Sequence, residues 1–93
     1  MIRSFKCKDT ERLFRRTGSF ELPGSIQRAG LIKLTYLNAA ISLKDLSLPP
    51  GNRLKKLTGK RKGQYSIRIN EQWRICFEWK DGDAYNVEII DYH

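Results

Sequence analysis

The strongest constraint on this chain is a pair of alternating runs separated by three polar residues. In Tyr65–Asn70, the residues Tyr65, Ile67 and Ile69 fall on one side by the two-residue period of a strand, and Ser66, Arg68 and Asn70 fall on the other. Asn70-Glu71-Gln72 supplies a short turn. The alternation then resumes, with Trp73, Ile75, Phe77 and Trp79 on the buried side and Arg74, Cys76 and Glu78 opposite. The pattern predicts one antiparallel hairpin with a buried face and an open face, and it puts Arg68 and Arg74 together on the open face.

Charge then says what such a face would meet. The stretch from Gly51 to Trp79 holds Arg53, Lys55, Lys56, Lys60, Arg61, Lys62, Arg68 and Arg74 against only Glu71 and Glu78. Over the whole chain the formal net charge is +8. It is unevenly placed: residues 1–50 carry net +5, residues 51–80 net +7, and residues 81–93 net −4. A domain this small and this basic is suited to a polyanion, although an acidic protein surface would suit it as well. The loop Gly59–Gly63, Gly-Lys-Arg-Lys-Gly, reads as flexible and basic, either a phosphate contact or a solvated run of charge.

The rest of the chain supplies the elements that cover the buried face. With 93 residues the chain is long enough for one domain, spanning 1–93, with one modest core. Ile2–Phe5 alternates as a short first strand. Asp9 or Thr10 is placed to cap a short helix carrying Leu13 and Phe14 inward, ending near Thr17-Gly18. Pro23-Gly24-Ser25 opens a second helix, with Ser25 as its cap and Ile26, Ala29, Leu34, Leu37 and Ile41 at helical spacing; Tyr36 is assigned to the core with them. Asp45–Gly51, broken by Pro49, Pro50 and Gly51, reads as a connector. Arg53–Leu57 reads as a brief strand. Asp81-Gly82-Asp83 is a turn, and Ala84–Ile90 is a last strand with Tyr85, Val87 and Ile89 alternating inward. The fold expected is α+β, a small antiparallel sheet with two N-terminal helices packed on one face. No apolar run approaches the roughly 20 residues that span a bilayer, and the N-terminus has no apolar stretch of secretory type, so a cytoplasmic protein is expected. Cys7 and Cys76 are too few for a disulfide framework or a zinc site.

The chain runs from that last strand into Asp91-Tyr92-His93, a cluster of groups able to hold or move a proton. Here the residues resemble a known family. Pro50-Gly51-Asn52-Arg53-Leu54, Leu57-Thr58-Gly59, Tyr65–Asn70, Gln72–Phe77 and the final Asp91-Tyr92-His93, together with the opening Met1–Phe5, resemble HigB toxins of the RelE/ParE superfamily, above all their GraT-like branch. The resemblance covers essentially the whole chain. It implies a RelE-like fold and a ribosome-dependent mRNA endonuclease of a type II toxin–antitoxin system. A HigA-like helix-turn-helix antitoxin is the implied partner, with the ribosomal A site and mRNA as target; DNA operator is contacted only through the antitoxin complex.

Carried over residue by residue, the resemblance implies Arg74 on the scissile phosphate and Asp91, Tyr92 and His93 as the terminal catalytic group. Arg53, Lys55, Lys56, Arg61, Lys62 and Arg68 are then assigned to RNA backbone. Where some relatives carry a histidine, this chain has Lys55; a lysine is a good phosphate ligand but a poor base near neutral pH. RNA brings its own nucleophile, so no metal, cofactor or covalent intermediate is expected. Two other readings stay open at this level: a ParE-like poison of a protein target, and a catalytically weak toxin acting mainly as a corepressor bound to its antitoxin. Trp73 and Trp79 are assigned to the core and not to base stacking.

Overall fold

A computed structural model describes residues 1–18 and 21–92. The expected hairpin is its centre. Strand β2 (Gln64–Arg68) pairs antiparallel with β3 (Trp73–Lys80), and β3 with β4 (Asp83–Asp91); the two-residue β1 (Lys55–Lys56) pairs with β2, giving the order β1-β2-β3-β4. Asn70 makes the β2–β3 turn by accepting the amides of Gln72 and Trp73 on Oδ1. The register sets Ile67 opposite Ile75 and Ile75 opposite Ile89 on the core side, and Arg68 opposite Arg74 on the other.

Helix α1 (Lys8–Arg15) and helix α2 (Gly24–Ala39) pack on the core side. Leu13, Ile26, Leu34 and Leu37 meet Ile67, Ile75, Phe77, Val87 and Ile89. Gly30 lets α2 approach closely: a Cβ there would lie 3.3 Å from Leu13 Cδ2 and 3.4 Å from Ile89 Cδ1. The α+β fold with helices on one sheet face is thus as expected.

Several local expectations are corrected. Neither Asp9 nor Thr10 caps α1, whose first flanking residue is Cys7. Thr10 lies inside the helix, fully buried, and its hydroxyl accepts the Ile89 amide at 3.0 Å. The helix ends at Arg15, where Arg16 turns left-handed (φ 58°) and its amide returns to the Leu13 carbonyl. Pro23, not Ser25, precedes α2, and Ser25 makes no cap hydrogen bond. Ile41 falls beyond the end of α2 and is 81% exposed, and Tyr36 is 50% exposed, so neither belongs to the core.

The connector contains a third helix, α3 (Leu43–Ser47), begun by a reciprocal pair in which Ser42 accepts the Asp45 amide and Asp45 accepts the Ser42 amide. A 3-10 turn over Pro50–Asn52 follows, and Asn52 is buried, donating to the Leu46 carbonyl. Another 3-10 turn, Gly59–Arg61, occupies the basic loop. The brief strand is shorter than Arg53–Leu57, because Arg53 is left-handed (φ 44°). In β4 the simple alternation fails. Asn86 takes φ 52° at a bulge opposite Cys76–Glu78, so Ala84 is buried where Tyr85 was expected. In place of the expected first strand, the first segment lies against the outer edge of β4, with isolated parallel bridges from Ile2 to Ala84 and from Phe5 to Val87.

Candidate active site

The face of the sheet away from the helices carries the candidate chemistry. Arg74 leaves β3 on this face and is held from two directions. Its Nε donates to Ser66 Oγ (2.8 Å), and its Nη2 donates to the Arg53 carbonyl (2.6 Å), which the left-handed turn at Arg53 exposes. Burial pulls the Arg74 guanidinium down from its ordinary value, Tyr92 and Cys76 oppose the shift, and Arg68 and Arg53 add to it. A guanidinium nevertheless stays charged at any working pH.

Tyr92 follows β4 and is anchored to the hairpin turn, its amide donating to the Gln72 carbonyl (2.6 Å). Two cations converge on its ring: Lys55 Nζ and Arg74 Cζ each lie 5.5 Å from the centroid. Lys55 Nζ also reaches the Tyr92 hydroxyl at 3.4 Å. Lys55 comes there because β1 sets it opposite Ser66, on the same face as Arg74. The structure therefore brings together Arg74, Lys55 and Tyr92 of the expected residues, with the Arg53 backbone and with Arg68 in register beside Arg74.

The other expected residues are placed differently. Asp91 pairs with Trp73 in the register, on the opposite side of the strand from Tyr92, and its Oδ2 accepts from Gln72 Nε2 at 3.0 Å. Lys56 and Lys62 are exposed, and Lys56, opposite Tyr65, falls on the other side of β1 from Lys55. Arg68 lies 4.0 Å from Glu71. Arg61 spans the face from the basic loop to β4, bonding Gln64 Oε1 (3.1 Å) and Glu88 Oε1 (2.9 Å); the hydrogen bond to Glu88 is the main cause of its raised pKa. Lys6 approaches the same carboxylate at 3.7 Å. Beneath this bridge Cys76 is buried, and burial pushes its thiol up. His93 lies outside the described residues.

Sequence reasoning put Ser66 on this face without giving it a role, and missed the parts played by Gln72 and Glu88. Ser66 had a signal. It falls on the Arg74 side of the predicted hairpin, and a small hydroxyl between two strands is a natural acceptor for a neighbouring guanidinium. Glu88 had none, since its contact with Arg61 crosses two intervening strands.

A family profile described as the RelE-like toxin of the type II toxin–antitoxin system HigB matches residues 3–93. The chain belongs to the HigB-like toxin family. Toxin HigB-1 of Vibrio cholerae serotype O1 is 44% identical to this toxin over 94 residues, covering 100% of this chain and 98% of that protein. A protein named Endoribonuclease HigB, from Proteus vulgaris, is 32% identical over 93 residues and covers 100% of both chains. In fold, this HigB-like toxin is similar to a chain of the heterotetrameric YoeB–YefM toxin–antitoxin complex from Staphylococcus aureus, with TM-score 0.56 at 18% identity, covering 100% of this chain and 98% of that one. As a type II toxin it has a protein antitoxin as partner. Among the described residues no helix is long and apolar enough to cross a membrane.

Proposed function

We propose that this HigB-like toxin is an endoribonuclease that cleaves mRNA on the ribosome and so arrests translation and growth. The observation that carries the reading is the convergence of Arg74 and Lys55 on Tyr92, with Arg74 fixed by Ser66 and the Arg53 carbonyl. The name of the Proteus vulgaris relative supports the reaction class.

In this reaction the ribose 2′-oxygen attacks the adjacent phosphorus, the bond from phosphorus to the 5′-oxygen breaks, and the products are a 2′,3′-cyclic phosphate and a 5′-hydroxyl. A base takes the 2′ proton and an acid returns one to the departing oxygen. Arg74 and Lys55 offset the charge that builds on the phosphorane, the first with two fixed donor directions and the second as a point charge. Tyr92 and His93 take the proton transfers, with Asp91 orienting the chain end through Gln72. Because Arg74 is already immobilised, little reorganisation is needed when charge develops. Arg74 lies on a sheet face, and the ribosomal A site would hold the message there in reactive geometry. Arg53, Lys55, Lys56, Lys62 and Arg68 add sequence-tolerant backbone attraction.

A HigA-like antitoxin with a helix-turn-helix would neutralise the toxin and carry it to operator DNA, and the substrate puts its work in the cytoplasm. The test is 5′-end mapping of mRNA in cells expressing the toxin, beside Arg74→Ala and a deletion of His93. Translation-dependent, in-frame cuts are expected for the wild type, and loss of the Arg74 donor should lower cleavage on the order of a hundredfold to a thousandfold. Growth arrest without new mRNA ends would transfer the argument to a protein target.

A further inference from the structure

The bulge in β4 decides where Tyr85 points. Simple alternation from Val87 and Ile89 would turn Tyr85 into the core, but the extra residue at Asn86 sends it to the open face, opposite Glu78. The bulge is clamped from outside: the Asn86 amide donates to Ser4 Oγ at 2.8 Å and the Val87 amide to the Ser4 carbonyl at 3.1 Å. Arg74, Cys76 and Glu78 share one side of β3. Tyr85 therefore stands on the same face as Arg74, four strand residues or roughly 13 Å along the sheet. Between them lie Glu88, opposite Cys76, and the two cations that Glu88 holds, Arg61 and Lys6.

Tyr85, Glu78, Lys80 and Asn86, with Gly63 and Trp79, line an open depression of about 420 Å³. Inside it Asn86 Nδ2 donates to Glu78 Oε2 at 2.7 Å, which fixes the carboxylate and leaves Oε1 as an acceptor. Among the described residues neither the Tyr85 hydroxyl nor the Lys80 ammonium has a partner. A ring beside a fixed acceptor, with a cation near, fits a nucleobase and its phosphate. The base would lie on Tyr85 and donate from its edge to Glu78, and Lys80 would meet the adjoining phosphate. A phosphate or carboxylate in place of the base would face the charge of Glu78.

We propose that this depression is a nucleobase subsite, taking a base with an exocyclic amino group (adenine, cytosine or guanine) that lies along the message from the bond cut at Arg74. The proposal deepens the RNA-cleaving reading and rests on it. Uracil has no amino group to offer Glu78 and is disfavoured. Tyr85 binds the base through its ring, and Glu78 sets the preference.

The test maps 5′ ends of mRNA in cells expressing wild type, Tyr85→Ala, Tyr85→Phe or Glu78→Gln, and compares base frequencies at each position around the cuts. Wild type should disfavour uracil at one fixed distance from the cut. Glu78→Gln, whose amide can also donate to a uracil carbonyl, should relax that bias about tenfold. Tyr85→Ala should lower cleavage about tenfold or more, and Tyr85→Phe, which keeps the ring, should recover most of the loss. Melting curves of the purified variants identify any loss of fold; if Tyr85→Ala does not fold, the base frequencies of Glu78→Gln decide. Wild-type base frequencies in Glu78→Gln, or a Tyr85→Phe variant as slow as a folded Tyr85→Ala, would overturn the proposal while cleavage itself stands. Absence of new ends in wild type would instead remove the catalytic reading, and the subsite with it.

Discussion

Asp83 joins the two ends of the molecule through charge. Its Oδ1 lies 3.1 Å from the Met1 ammonium and its Oδ2 lies 3.1 Å from Arg3 Nε. The hydrogen bonds from that ammonium and from Arg3 hold its carboxyl below the usual carboxylate range. A carboxyl whose pKa is lower folded than unfolded stabilises the fold above its ordinary pKa and ceases to do so as pH falls through the folded value. Asp83→Asn should therefore lower the thermal midpoint at neutral pH, and the gap to wild type should close in acid; a gap that persists would assign the contact to hydrogen bonding alone. Thr10 makes the opposite case, a neutral group in a dry place. Thr10→Val keeps the shape but leaves the buried Ile89 amide without its acceptor, which should cost about 1–3 kcal/mol in urea unfolding at any pH.

At the scale of elements, the basic loop is tied to β4 by Arg61 and Glu88, and Cys76 is buried under that tie. Glu88→Ala should free Arg61 and open a path to the thiol. Alkylation of native protein, read by peptide mass spectrometry, should then show faster labelling at Cys76 with little change at the half-exposed Cys7. Equal labelling of Cys76 in variant and wild type would mean that Arg61 does not cover it. The same elements show what could be read from sequence. The hairpin was legible because its alternation runs through Tyr65–Asn70 and Trp73–Trp79, so the placing of Arg68 beside Arg74 followed directly. Helix α3 was hidden by Pro49, Pro50 and Gly51, though Ser42 and Asp45 three residues apart are a capping signature. The inner face of β4 was misread because a bulge at Asn86 shifts the alternation, and nothing local announces a bulge. Tyr36 was misread because helical spacing alone does not distinguish the covered side of an apolar helix from its bare side. Of the candidate site, Arg74, Lys55 and Tyr92 were legible and meet in space. The hold of Ser66 on Arg74 is a contact between strands, which periodicity within one strand does not contain.

The whole molecule divides its surfaces, with cationic side chains on the open sheet face and apolar residues on the outer side of α2. Binding of RNA by the first should be strongly salt-dependent. For single-stranded RNA, replacing both Lys55 and Lys56 by Ala should reduce the slope of log affinity against log salt by roughly 0.7 for each phosphate contact removed, irrespective of sequence; an unchanged slope would remove both from the RNA path. The sheet also imposes an order in time. Ile2 and Phe5 bridge only to β4, Thr10 bonds Ile89, and Tyr92 leaves the end of that same strand. Since β4 follows every other described strand in the chain, the N-terminal edge and the convergence around Tyr92 must both wait for the rest of the sheet to be made.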